Sequence, residues 1–148
     1  MGDDILVNEN VINNKLKELN KNLKQLRNYQ GINAKQLNNN MSKLWAIERG
    51  LQLSIQIILD IGNHILADKG ITVENYADIF QKLINQEIIP KEYGKRIKGM
   101  AGFRNILVHE YTEVDLNVIV EVLENSLDDF EKFAFYINRH LENEDIKN

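Results

Sequence analysis

Cysteine is missing from this chain of 148 residues, and proline occurs once, at Pro90. Without cysteine there is no disulfide framework, no thiolate metal site and no thiol nucleophile. Long apolar runs are missing too. None approaches the roughly 20 residues that span a bilayer, and the start Met1-Gly2-Asp3-Asp4 is acidic, unlike a secretory or transit signal. The expectation is a cytoplasmic protein with no membrane association. Neither a glycine-rich phosphate loop nor a zinc signature occurs, so no cofactor and no metal site are expected. Nor is there an internal repeat, a low-complexity tract or a linker. Residues 1–148 therefore read as a single domain, large enough to bury its own core, with short frayed tails at both ends.

What is present is helical periodicity from end to end. Ile12, Leu16, Leu19, Leu23 and Leu26 recur at spacings of four and three and form one apolar stripe of a first helix. The Asn-rich segment 31–40 reads as a connection. A second helix carries Leu44, Ile47, Leu51, Ile55, Ile58 and Ile65 on one side, with Leu53, Ile57 and Ile61 widening the stripe. A face that wide predicts a central helix packed on several neighbours. Gly70 ends it, and Tyr76, Ile79, Phe80 and Leu83 mark a shorter third helix. Pro90 suits the start of a fourth, because the first helical turn leaves its amides unpaired in any case. Asp115 is a good cap for a last helix running through Leu116, Ile119, Leu123, Phe130, Ala134, Ile137 and Leu141. Short connections imply antiparallel neighbours. The fold class predicted is all-α, an up-and-down bundle of four to five helices. Trp45 is expected to be a packing anchor.

Residues 104–111, Arg-Asn-Ile-Leu-Val-His-Glu-Tyr, bring a guanidinium, an imidazole and a phenol onto one short stretch. Arg104 carries a fixed charge on a planar fork that fits phosphate oxygens. His109 is the side chain that both takes and gives a proton near neutrality. Tyr111 adds a donor, an acceptor and a modifiable hydroxyl. Arg104 falls where the stripe of Ile97 and Met100 or Ala101 calls for an apolar residue, so this cation needs a partner, such as Asp60, or a ligand. Gly99 and Gly102 each cost a helix interior about 1 kcal/mol relative to alanine. Close helix packing, a dimer contact or an approaching ligand would each explain them.

Arg104, His109 and Tyr111 stand in the order Arg, four residues, His, one residue, Tyr. Together with Glu48-Arg49-Gly50-Leu51-Gln52-Leu53, the Tyr76 to Phe80 segment, Pro90 and the run Met100-Ala101-Gly102-Phe103, this spacing resembles the HEPN superfamily over nearly the whole chain. Within it, the chain resembles the HepT-type branch of small toxins. The resemblance implies a HEPN-like bundle acting as a metal-independent endoribonuclease, a homodimer paired with a small nucleotidyltransferase antitoxin. It implies catalytic roles for Arg104 and His109, support from Asn105 and Tyr111, and adenylylation of Tyr111 by the antitoxin, which would close the site by charge and bulk. Tyr111 has two other readings, an RNA contact and a residue packed at a helix connection.

Geometry constrains the motif. At about 100° per residue, Arg104 and His109 would lie roughly 140° apart on a continuous helix and could not face one ligand. Either the helix ends between them or two chains contribute. Thr112, Val114 and Asp115 favour an end soon after Val108, which leaves His109 and Tyr111 in a turn. In a dimer whose turns meet, one His109 would take the ribose 2′-hydroxyl proton and the other would protonate the leaving 5′-oxygen. Arg104 would stabilise the charge on the phosphate.

The net charge of −4 runs against RNA binding, since phosphate contacts supply most non-specific affinity. Its distribution softens the objection. Lys15, Lys17, Lys21, Lys24, Arg27 and Lys35, and then Lys91, Lys95, Arg96 and Lys98, predict a basic side near the site. Glu121, Glu124, Asp128, Asp129 and Glu131 predict an acidic side away from it. Asp60 and His64, four apart, read as a surface polar pair or as support for the site rather than half a metal site. His140 reads as a cation near a helix end. A different class of function is a non-catalytic helical module that presents substrate to a nucleotidyltransferase, and a third is a homodimerising scaffold.

Overall fold

In a computed structural model, the backbone is described for residues 2–109 and 114–147, and eight helices occur among them. They are α1 (Gly2–Arg27), α2 (Ala34–Asn38), α3 (Met41–Asp68), α4 (Tyr76–Asn85), α5 (Lys91–Ile97), α6 (Gly99–Val108), α7 (Leu116–Asn125) and α8 (Leu127–Lys147). The described residues contain no strand. No helix among them is long and apolar enough to cross a membrane.

The apolar stripes read from the sequence meet in one core. Ile12, Leu16, Leu19, Leu23 and Leu26 of α1 are all buried, and so are Ile47, Leu51, Ile55, Ile58 and Ile61 of α3. α3 is the central element, packed against α1, α2, α4, α6 and α8. Its wide apolar face required several neighbours, and it has them. Its end is set by Gly70, whose φ of 75° lets the amides of Gly70 and Ile71 reach back to the carbonyls of Ala67 and Leu66, both at 2.9 Å. Three glycines fix close approaches inside the bundle. A Cβ at Gly62 would stand 2.6 Å from Ile79 Cγ2, and one at Gly94 would stand 2.5 Å from Ile84; at Gly50 the nearest atom, Leu26 Cδ2, is 2.9 Å away.

Two of the five predicted helices are broken, and the first connection is not a plain loop. The fourth splits at Lys98 into α5 and α6, where Gly99 follows and weakens the helix. The last splits at Ser126 into α7 and α8, with the amides of Asp129 and Phe130 restarting on the Ser126 carbonyl. In the Asn-rich segment, Asn33 and Gln36 form a reciprocal capping box that starts α2, and Leu37 is fully buried. Asp115 caps α7 as predicted, its carboxylate accepting from the Asn117 amide at 2.9 Å. α8 continues past the apolar stripe to Lys147, because helical hydrogen bonding needs no apolar residues. Trp45 is not a packing anchor. It is 63% exposed, one position off the Leu44–Ile47 stripe and so turned about 100° away from the core.

The charges are also arranged differently from the expectation of a basic and an acidic side. Arg27 binds Asp128 at 2.8 Å and Glu131 at 3.1 Å, and Arg96 grips Asp129 through two hydrogen bonds of 3.0 and 2.9 Å. These contacts tie α1 and α5 to α8, and the acids raise both guanidinium pKa values further above their ordinary range. Tyr93 strengthens the α5 to α8 contact by donating to the Asp129 carbonyl at 2.6 Å, and burial pushes its phenol pKa up.

Candidate active site

Arg104 sits in the middle of α6, half-buried, on the side turned towards α3 and α4. Its Nε donates to Gln56 Oε1 at 3.0 Å, and its guanidinium lies over the Tyr76 ring, 5.1 Å from the centroid. Gln56 in turn donates to Asp60 Oδ1 at 2.7 Å, and Asp60 Oδ2 is 3.8 Å from Lys15 Nζ. The predicted Asp60 partnership is thus indirect. A neutral amide stands between cation and carboxylate, and the carboxylate is shared with a lysine. Among the described residues Arg104 makes no ion pair, and its two terminal nitrogens make no hydrogen bond. The guanidinium is held by its inner edge and its flat face. Its outer fork remains available to a bidentate anion.

α6 ends at Val108, and His109 follows in an extended conformation, φ −82° and ψ 110°, with its side chain exposed. This is one of the two arrangements that the Arg104 to His109 spacing allows, a helix that ends before His109. His109 has no hydrogen bond to Asn105 or Arg104 among the described residues, so one chain does not by itself lock the two catalytic candidates together. Tyr111 lies outside the described residues. Asn105 is exposed on α6 and lines an open cavity with Tyr76, Gly102 and Asn63.

Gly99 and Gly102 are not explained by packing among the described residues. A Cβ at either would meet nothing within 4 Å, unlike those at Gly62 or Gly94. Of the three explanations for these glycines, close helix packing within the chain has no support among the described residues. The histidine and aspartate on α3 also part company. Asp60 faces Gln56 and Lys15, while His64 Nε2 is 3.7 Å from Asp68, so the two do not pair with each other. His140 lies 3.9 Å from Glu144 one turn later.

Two participants escaped the sequence reading. Gln56 belongs to a polar ridge, Gln52, Gln56, Asp60 and Asn63, that interrupts the apolar surface of the central helix, and that interruption was a usable signal. In the sequence, Tyr76 only marks the third helix and the segment that resembles the family. It is 38% exposed at the first position of α4, just after the Asn75 cap.

Residues 4–137 match the family described as Ribonuclease HepT-like. The chain belongs to the HepT-like ribonuclease family. That membership makes this HepT-like chain an enzyme of the endoribonuclease class. It is 28% identical over 124 residues to an mRNA nuclease HepT from Shewanella oneidensis, covering 83% of this chain and 92% of that protein. It is 29% identical over 133 residues to a tRNA nuclease HepT from Aphanizomenon flos-aquae, covering 88% and 90%. A solved structure of a tri-AMPylated Shewanella oneidensis HEPN toxin in complex with MNT antitoxin superposes with a TM-score of 0.78 at 28% identity. That match covers 87% of this chain and 97% of the other.

Proposed function

We propose that this HepT-like chain is a metal-independent endoribonuclease toxin that cuts RNA at a site built from Arg104 and His109, with Asn105 and Tyr111 in support. The observation that carries the reading is the half-buried Arg104, held by a neutral amide and an aromatic face, with no partner for its outer fork among the described residues. A phosphodiester is the anion that fits it. An imidazole takes the proton of the ribose 2′-hydroxyl, and the resulting oxygen attacks phosphorus. A second imidazole protonates the departing 5′-oxygen. Arg104 stabilises the charge that grows on the non-bridging oxygens. The products are a 2′,3′-cyclic phosphate and a 5′-hydroxyl, formed by acid–base chemistry that asks for no metal.

The second imidazole is His109 of a second copy, so the working form is a homodimer in the cytoplasm. Large apolar side chains left on the surface, Trp45 at 63% and Phe135 at 60% exposure, support association. The chain is restrained by a small nucleotidyltransferase antitoxin that adenylylates Tyr111. The AMPylated, antitoxin-bound relative supports this reading. Negative charge two residues from His109 would repel the substrate phosphate.

The test is cleavage of total cellular RNA by purified protein, beside Arg104→Ala and His109→Ala variants checked for helicity and mass in solution. The expected result is cleavage by the wild type and a loss of about 10²–10³-fold in each variant. Incubation with the nucleotidyltransferase and ATP should add AMP mass units to the peptide carrying Tyr111.

One observation favours a second reading, a non-catalytic module that presents substrate to the nucleotidyltransferase. Arg27 and Arg96 are neutralised by acids on α8, which leaves less positive surface for RNA than the sequence suggested. Unmodified wild-type protein that binds the nucleotidyltransferase but cuts no RNA would establish it.

A further inference from the structure

We propose that the cavity between the start of α4 and the middle of α6 is a nucleobase subsite that holds the base of the nucleotide whose phosphate Arg104 binds. The inference rests on the ribonuclease reading above. The cavity has a volume of about 630 Å³, within the ~300–1,000 Å³ typical of small-ligand sites. Its floor is apolar, made by the buried side chains of Ile79 and Ala101. Its wall includes the exposed ring of Tyr76, and its rim carries the amides of Asn63 and Asn105. Neither of these amide side chains makes a hydrogen bond among the described residues. An aromatic face, an apolar floor and amides that both donate and accept are the set that recognises an unstacked base.

Two further observations place a base here. Arg104 lies over the Tyr76 ring but does not line the cavity, so ring and cation present adjacent surfaces, one for the base and one for its phosphate. Gly102 also lines the cavity, and a Cβ there would meet no packed neighbour within 4 Å among the described residues. The missing side chain keeps the space open. Glu74 at the rim offers a carboxylate that accepts from an exocyclic amino group and repels the two carbonyls of uracil. The order expected is therefore an amino-bearing base over uracil.

Gly102→Leu puts a side chain into the cavity and leaves the residues Arg104 and Tyr76 themselves unchanged. Gly99→Leu is the matched control, because a Cβ at Gly99 also meets nothing within 4 Å and this residue lines a different cavity, between α6 and α7. The four nucleoside 3′-monophosphates are titrated into the full-length wild type and both variants, following the amide signals of Asn63 and Asn105 and the ring signals of Tyr76 by NMR. Cleavage of short RNAs varied at the base beside the scissile phosphate is measured in parallel. The expected result is perturbation of these signals by the amino-bearing nucleotides in wild type and Gly99→Leu but not in Gly102→Leu, with KM rising about tenfold and base preference flattening only in Gly102→Leu. Absent perturbations, or equal ones in all three proteins, overturn the subsite. So does RNA cleavage with unchanged KM and preference in Gly102→Leu, an outcome that leaves the ribonuclease reading standing. Nucleotide binding in the cavity by a wild type that cuts no RNA overturns the ribonuclease reading and the coupling to cleavage, while the base contact holds. A change from dimer to monomer in Gly102→Leu assigns the cavity to a contact between copies and overturns the proposal.

Discussion

In the proposed site, the neutral amide of Gln56 is what leaves Arg104 its charge. A carboxylate in its place would neutralise the guanidinium and make it a structural ion pair, whereas an amide positions the group and leaves its charge for a ligand. Gln56→Glu is nearly isosteric and turns the second arrangement into the first. The prediction is a folded, dimeric protein whose RNA cleavage falls tenfold or more, measured beside Arg104→Ala; unchanged cleavage would mean that the free charge is not used. A second residue carries a pH signature. Burial raises the Glu48 carboxyl above its ordinary value, so the folded state holds the proton more tightly than the unfolded chain. Stability is thus fullest below the unfolded carboxylate value and declines as pH rises through the folded one. Glu48→Gln removes that decline. Its melting temperature should exceed wild type at pH 7 and converge with it at a pH below the carboxylate range.

The glycines separate into two kinds at the scale of helices, and stability measurements should sort them. Gly94 is needed because α4 and Ile89 leave no room for a methyl group, with Ile84 at 2.5 Å and Ile89 at 3.2 Å from the added Cβ. Gly94→Ala is predicted to cost about 1–3 kcal/mol by urea denaturation. Gly102→Ala meets open space and gains helix propensity, so it should stabilise by up to about 1 kcal/mol. The element boundaries show what a sequence discloses. Pro90, Gly70 and Asp115 were legible because each marks an end by its own backbone chemistry. The breaks at Lys98 and Ser126 were not, since the apolar stripe runs through both and only local hydrogen bonding changes. α2 hid inside an Asn-rich run that looked like a loop, although Asn33 and Gln36 carry the spacing of a capping box. Arg104 and the helix end at Val108 were legible from spacing. Tyr76 and Gln56 were not, because their roles depend on which helices meet across the core.

For the molecule as a whole, charge is spent partly on holding the bundle together. Arg27 and Arg96, counted from the sequence as part of a basic side, clamp α1 and α5 to the acids of α8. Long-range pairing of this kind, between residues about a hundred positions apart for Arg27, leaves no trace in local spacing. RNA affinity should therefore fall with salt less steeply than a count of lysines and arginines suggests, a slope readable from binding of an uncleavable 2′-deoxy analogue between 50 and 200 mM salt on the order of magnitude used for such series. The proposed homodimer would cover some of the exposed apolar side chains, Trp45 and Phe135 among them, and would supply the second His109 that the proposed chemistry uses.

The central claim is that Arg104 and His109 cut RNA through the 2′-hydroxyl. Its most direct test is a short RNA carrying one deoxyribose at the mapped cleavage position, incubated in excess EDTA with wild-type protein free of adducts at Tyr111, beside the all-ribose RNA. The account predicts a cut all-ribose strand ending in a 2′,3′-cyclic phosphate, an intact substituted strand, and no cut of either by His109→Ala. Cleavage of the substituted strand, or full activity in His109→Ala, would contradict it.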